Sequence, residues 1–303
     1  MLSLPTPHGD KLKALLENGN LPRVDKPRVE AAIDRYEKWL EELRAIKGEY
    51  EDVVSKMVSL LNTYKTYLEV DLIFDSSEDF LYRQKGQLKL DSSVIEEFLP
   101  WLVLKAFPDQ LNDRDLTLGP ATCLSSVRFE SSITMSKPGG GIELRQKNHD
   151  FAISRKLFLK SSHQPDFKMA VVKETNIAYV AAECKTNLDK TMFQEAAATA
   201  LDVKTVVPGA KYYLLCEWLD MTPISTATTA IDEVIILRKA RRIPSNVREH
   251  FNTVQGRKEN RDIFVEYLEK HPLKEESFKR FLDHIRRLVS DSQENDILER
   301  GYF

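Results

Sequence analysis

The feature that most constrains this chain is the run Ile177-Ala178-Tyr179-Val180-Ala181-Ala182, broken off by Glu183-Cys184-Lys185. A run of that length without polar alternation fits a strand covered on both faces, so it demands layers on either side of a sheet. The residues after it read as an α/β unit. Thr186 and Asp189 give a capping-box-like helix start, with Asp in place of the usual Glu or Gln, and the helix runs to about Val203. Pro208-Gly209 ends it. Residues 211–218 return as an aromatic-rich strand, and 234–237 form another after a Thr/Ser-rich loop. Upstream, residues 126–135, 142–145 and 151–159 are strand candidates, with Lys137-Pro138-Gly139-Gly140-Gly141 as a turn. Residues 167–172 and 177–184 read as a hairpin around a polar turn at Lys173-Glu174-Thr175-Asn176. The expected fold is α/β, a mixed central sheet with a crossover helix.

Helices flank that sheet. Val29, Ile33, Tyr36, Leu40, Leu43 and Ile46 recur at steps of three and four, as do Val53, Met57, Leu60, Tyr64 and Leu68 after Gly48. Asp91-Ser92-Ser93 precedes another apolar stretch that ends before Pro108. The tail from Lys258 to Ser290 is helical, with Phe264, Leu268, Phe278, Phe281, Leu282, Ile285 and Leu288 facing inward. These features divide the chain into a helical extension over 1–90 and a core with C-terminal helices over 91–303. The boundary is soft, and a single globule is the alternative.

Composition narrows the class. The 303 residues are 42% hydrophobic and 30% charged, which supports a packed core. The net charge of -3 gives no sign of a broadly basic surface, although a cleft can still be basic. Cys123, Cys184 and Cys216 are too sparse for zinc spacing and fit buried thiols in a reducing cytoplasm. Met1-Leu2-Ser3-Leu4-Pro5 lacks a leader's basic and apolar regions. No apolar run is long enough to span a bilayer, so a cytoplasmic, soluble protein is expected. Neither GxxxxGK[ST] nor GxGxxG occurs, so no NTP or dinucleotide site is expected. The histidines, His149 and His163 among them, form no recognisable motif.

If the hairpin is centred between Glu174 and Thr175, Asp166 and Glu183 are equidistant from its centre and face each other. Two such carboxylates call for a cation between them, and hard oxygen ligands suit Mg²⁺. Lys185, two residues beyond Glu183, points to the same side. There it can orient water and stabilise charge on a phosphate. The backbone carbonyl of Cys184 is a possible further ligand. The acidic-x-Lys triplet alone is common, and Asp166-Phe167-Lys168 and Asp202-Val203-Lys204 match it too. Glu183-Cys184-Lys185 stands apart because it ends a buried-type strand, mirrors Pro165-Asp166 and precedes a capped helix. A surface salt bridge is the bland reading.

Asp150, in Asn148-His149-Asp150-Phe151, rivals Asp166 as the first acid and is ranked below it. Glu130 is a further acidic candidate, and Gln194 and Glu195 on the crossover helix could face the site. Lys156, Lys160 and Lys168 flank the proposed site in sequence. Arg238, Lys239, Arg241 and Arg242 cluster just after a strand. All seven are candidate phosphate contacts.

Pro165-Asp166, then Glu183-Cys184-Lys185, then a helix and a strand resembles the PD-(D/E)xK nuclease superfamily, and within it the type II restriction endonucleases. The stretch from His149 through Ala200, with Ala182-Glu183-Cys184-Lys185-Thr186-Asn187-Leu188-Asp189-Lys190-Thr191, is similar to restriction enzymes of the BbvCI-like kind. The resemblance covers about residues 120–240. It implies Mg²⁺-dependent, sequence-specific hydrolysis of double-stranded DNA to 5′-phosphate and 3′-hydroxyl ends. Asp166 and Glu183 would hold metal and Lys185 would position water. It also implies a homodimer or a heterodimer with a related subunit. A structure-directed repair or recombination nuclease and a non-catalytic DNA-binding subunit are the alternatives.

Overall fold

The computed structural model describes residues 4–112 and 116–289. Met1 to Ser3 and the segment from Ser290 onward lie outside the described residues, so part of the leader reading and the end of the expected tail helix fall there.

The centre is a mixed five-stranded sheet in the order β1 (Thr117–Phe129), β2 (Ile142–Ser161), β3 (Val171–Leu188), β4 (Lys211–Leu219), β5 (Glu233–Arg241). The first three strands are antiparallel, and β3, β4 and β5 are parallel. Residues of the apolar run go to both faces, with the alternation shifted by one at Tyr179. Val180 and Ala182 join Phe151, Ile153, Tyr213 and Leu215 in one apolar cluster. Ala178 and Ala181 join Ala152, Tyr212, Leu214 and Cys216 in another. Burial on both faces is what allows the sequence to drop polar alternation there.

One face carries a thick helical layer. α1 (Pro7–Leu16), α2 (Lys26–Ala45) and α3 (Tyr50–Tyr67) precede wide π-helical turns over Leu68–Phe74 and the short α4 (Phe80–Gln84). α5 (Ser93–Ala106) follows and ends before Pro108, where the short α6 (Pro108–Asn112) begins. The other face is covered by α7 (Lys190–Val206), which packs Phe193, Ala196, Ala200 and Val203 onto the sheet. After β5 come α8 (Ser245–Arg248), α9 (Val254–Glu259), α10 (Arg261–Lys270) and α11 (Glu275–Val289). The first large cluster contains Leu12, Val29 and Leu61 as well as Phe151, Tyr213, Phe281 and Ile285, so the N-terminal helices share the sheet's core.

Four local expectations are corrected. Asp189, not Thr186, caps α7, its carboxylate accepting the Met192 N–H at 2.8 Å, as a short acidic side chain does at a helix start. Ser92 makes no side-chain cap on α5; Ser93 instead donates to the Lys89 carbonyl at 2.6 Å. The expected strands 142–145 and 151–159 are one strand, and the tetrapeptide read as a turn at 173–176 lies inside β3. Its polarity reflects strand side chains with partners. Glu174 pairs with Lys156, Lys173 with Glu143, and Thr175 accepts from Gln146.

The actual β2–β3 turn is the loop between Ser161 and Val171. Ser161 and Val171 are paired, and they lie equally far along the chain from Asp166, so Asp166 is the turn's centre. The turn uses positive φ at Phe167 (56°) and Met169 (51°) rather than at glycine, an uncommon choice for side-chain-bearing residues. The neighbouring β1–β2 tip leans on it. Gly139 adopts φ 58°, and its carbonyl accepts from Ser161 at 2.9 Å. An added Cβ there would meet the Ser161 carbonyl oxygen at 2.8 Å, so the close approach needs glycine.

Candidate active site

Glu183 does have an acidic neighbour across the sheet, but it is Asp150. Phe151 pairs with Ala182, so the next position outward on each strand places Asp150 beside Glu183. One Asp150 oxygen accepts the Cys184 N–H at 3.0 Å, which ties the carboxylate to β3. Glu183 is held from two sides. Tyr212 donates its hydroxyl to Oε1 at 2.8 Å, and Lys185 Nζ lies 3.0 Å from Oε2.

The register behind this juxtaposition depends on an irregularity. Along the arm, Ser154 pairs with Ala178, but Ile153 pairs with Val180, so Tyr179 is an extra residue on β3. Without that bulge the outer register would set Asp150 against Ala182 and turn Glu183 to the other face.

The site opens on both sides. Asp150, Glu183 and Lys185 line a recess of about 390 Å³ with Lys147 and Glu195 of α7. Asp150 and Lys185 also border a cleft of about 780 Å³, whose walls include Tyr82, Arg83, Lys85, Arg242 and Arg248. From the cleft side, Lys89 reaches Asp150 Oδ1 at 3.3 Å and Glu96 Oε1 at 3.0 Å. Glu96 is on α5, so the helical layer adds an acid and a lysine to the group. Neither stands out in the sequence. Lys89 sits between regular elements, and Glu96 reads as an ordinary polar position in an apolar helix.

The charges are mutually adjusted. Burial alone would lower the Lys185 ammonium, but Glu183 and Asp150 outweigh it and hold the group above its ordinary value, as opposite charges nearby do. Lys89 behaves alike, its burial overcome by Asp150 and Glu96. Burial, then the nearby Asp150 charge, pushes the Glu96 carboxyl up against the pull of Lys89. Burial raises the Cys184 thiol well above its usual range, so it is an unreactive side chain.

Among the described residues no three His, Cys, Asp or Glu side chains converge as a closed metal centre would. Asp150 and Glu183 instead form an oxygen pair at the edge of open space. That donor set fits a hard divalent ion such as Mg²⁺, which keeps several waters.

Other expected residues lie elsewhere. Asp166, at the hairpin tip, is bound to its neighbour Lys168, by Nζ at 2.9 Å and by the backbone N–H at 3.1 Å. Those bonds hold its carboxyl below the ordinary range. Its expected pairing with Glu183 fails because the turn is centred on Asp166 itself. Glu130 is exposed near the other hairpin tip between Arg128 (3.0 Å) and Lys137 (3.3 Å). Lys156 pairs with Glu174, Lys160 lies over the Phe167 ring and Lys168 holds Asp166, so all three belong to the arm and do not line the cleft. β5 continues to Arg241, so most of the expected basic cluster is within a strand. Arg238 is buried and turned inward, and Lys239 is paired with Glu276 at 2.8 Å. Arg241 is exposed, its guanidinium 3.4 Å from the Met221 carbonyl. Only Arg242 of that cluster lines the cleft, 3.1 Å from Asp220. Glu195 faces the recess, whereas Gln194 is exposed beside it.

A family model described as Bpu10I restriction endonuclease matches residues 87–303. Among solved structures, one described as the native BbvCI A2B2 tetramer at low resolution is similar in fold. The TM-score is 0.50 and the identity 21%, over 79% of this chain and 85% of that one. No curated protein matches.

Proposed function

Since this chain belongs to the Bpu10I restriction endonuclease family, and is thereby a DNA-binding type II restriction enzyme, we propose that Asp150, Glu183 and Lys185 hydrolyse its phosphodiester substrate with Mg²⁺. The observation that carries this reading is the placement of Asp150 beside Glu183, with Lys185 on the same strand and open space in front. Asp150 and Glu183 would hold the ion, with the Cys184 carbonyl as a further oxygen. When bound, the ion supplies Lewis-acid stabilisation of the developing phosphate charge.

The chain's own groups do the rest. Tyr212 fixes one Glu183 oxygen by hydrogen bonding, which limits rotation of the carboxylate. The Cys184 N–H does the same for Asp150. Lys185 is held in its charged form by its acidic neighbours, so it donates hydrogen bonds rather than taking a proton. In that state it would orient the attacking water and stabilise negative charge on the phosphate oxygens; the water oxygen bonds to phosphorus as the bond to the 3′-oxygen breaks, the water's proton passing to solvent and the 3′-oxygen taking one from solvent. The products are a 5′-phosphate and a 3′-hydroxyl.

Cutting both strands of a duplex needs two such sites, so we propose a dimer, either of two copies or with a related subunit. We also propose that residues 1–90 and 91–303 act as one folding unit, supported by the shared core. A cytoplasmic location suits a restriction–modification enzyme.

The test is incubation of the protein with long mixed-sequence duplex DNA, with Mg²⁺ or chelator, beside Asp150→Asn, Glu183→Gln, Lys185→Ala and Asp166→Ala. Discrete fragments are expected with Mg²⁺ only. Rates should fall by at least about a hundredfold in the first three variants and stay near wild type in Asp166→Ala. Loss in Asp166→Ala with retention in Asp150→Asn would overturn the assignment. A smear would indicate a structure-directed nuclease, and inactivity rescued by a second subunit would identify a heterodimer.

A further inference from the structure

Resting on the reading of Asp150 and Glu183 as the ion-holding pair, we propose that Lys89 is a resident counter-ion of the acidic cluster, yielding its place to the divalent ion and then engaging a DNA phosphate. Its ammonium bridges Asp150 Oδ1 (3.3 Å) and Glu96 Oε1 (3.0 Å) from the cleft side. It belongs to none of the strands that build the pair. A lysine there does for the free protein what an ion does for the working one, since it keeps neighbouring carboxylates from repelling.

Charge balance says what happens when both cations are present. Asp150, Glu183 and Glu96 with Lys89 and Lys185 leave one net negative charge. A divalent ion turns that into one net positive charge, which a single phosphodiester neutralises. Lys89 is the member free to move because its side chain is the more exposed of the two lysines, 46% against 30%, and it faces the cleft beside Arg83, Lys85, Arg242 and Arg248. Lys185 is tied to Glu183 on its own strand. A lysine is a point charge on a flexible stem and can exchange one anion for another without remodelling its backbone.

The backbone is built to aim it. Lys89 has φ 51°, a left-handed conformation disfavoured for a side-chain-bearing residue. It is fixed there by its N–H to the Gly86 carbonyl at 3.2 Å and by Ser93 Oγ donating to its own carbonyl at 2.6 Å. Strain held in place by specific bonds beside a reactive cluster marks a positioned side chain.

The experiment is calorimetric titration of Mg²⁺ into the full chain without DNA, for wild type, Lys89→Met, Lys89→Arg, Asp150→Asn and Glu183→Gln, each checked for a cooperative thermal melt. Lys89→Met should bind Mg²⁺ roughly tenfold more tightly, with no ammonium to displace, and Lys89→Arg should stay close to wild type. In a Lys185→Ala background with Mg²⁺ present, adding Lys89→Met should lower the salt slope of duplex binding by about one. Unchanged or weaker Mg²⁺ binding by folded Lys89→Met overturns the inference. If Asp150→Asn and Glu183→Gln lose Mg²⁺ binding while Lys89→Met matches wild type, only the Lys89 inference fails. If those two variants bind normally, the site assignment fails with it.

Discussion

Arg238 carries its charge at 3% exposure. Its guanidinium donates to Glu217 at 3.1 Å, to Glu69 at 2.8 Å and to the His271 carbonyl at 2.9 Å, and it lies over the Trp218 ring. Lys65 completes the set, 2.8 Å from Glu217 and 3.5 Å from Glu69. Two cations and two carboxylates thus balance inside the protein, where removing one partner leaves an uncompensated charge. Arg238→Met should destabilise the fold by about 3–5 kcal/mol in urea unfolding; a cost below about 1 kcal/mol would mean that the network relaxes around the loss. At this scale the sequence is an uneven guide. Glu183 and Lys185 stand out because they interrupt a buried run, and the structure brings them together. Arg238 reads as one basic residue among several, because nothing in a charge run says which member points inward.

Elements are easier to recognise in this chain than their pairing. Continuous apolar character identifies β3, and Gly48, in the gap between α2 and α3, fits the break read there. The hairpin centre is misplaced in the sequence because polar residues inside β3 look like a turn, while the real turn has no glycine. Pro165-Asp166 is itself a turn signal, and reading it as a strand start shifts the expected partner of Glu183 from Asp150 to Asp166. Elsewhere one carboxylate joins three elements. Asp232, just before β5, accepts the Tyr212 N–H at 2.8 Å, and meets Lys204 at the end of α7 (2.7 Å) and Lys211 at the start of β4 (3.0 Å). Burial would raise its carboxyl, but Lys204, the Tyr212 amide and Lys211 together hold it below its ordinary value. A carboxyl depressed on folding stabilises the protein above its unfolded pKa, and that contribution disappears as pH falls through the folded value. Asp232→Asn should therefore cost about 1–3 kcal/mol near neutrality. The gap from wild type should close below about pH 4 in paired urea titrations; a gap that persists at about pH 2 would refute the charge-based account.

At the scale of the molecule, the sheet is sealed from the C-terminal side. Phe281 of α11 sits edge-on to Phe151 (5.7 Å) and Tyr213 (5.4 Å), and Phe98 of α5 meets Phe278 (5.4 Å). Leu282 and Ile285 are fully buried in the same cluster as Val29 and Leu61. These contacts make the core the partner of the apolar face of α11, and among the described residues no helix is long and apolar enough to cross a membrane. Phe281→Ala should lower stability by about 3–5 kcal/mol. A chain stopped after Lys274 should lack a cooperative melt and cut no DNA; a folded, active truncation would show that α11 is dispensable. The order in which a ribosome delivers these parts gives the arrangement another meaning. Asp150, Glu183 and Lys185 all emerge well before α11, so, on the proposed assignment, an unfinished or prematurely terminated polypeptide would carry these residues without the helix that packs behind their sheet, and should be a harmless fragment rather than a loose nuclease.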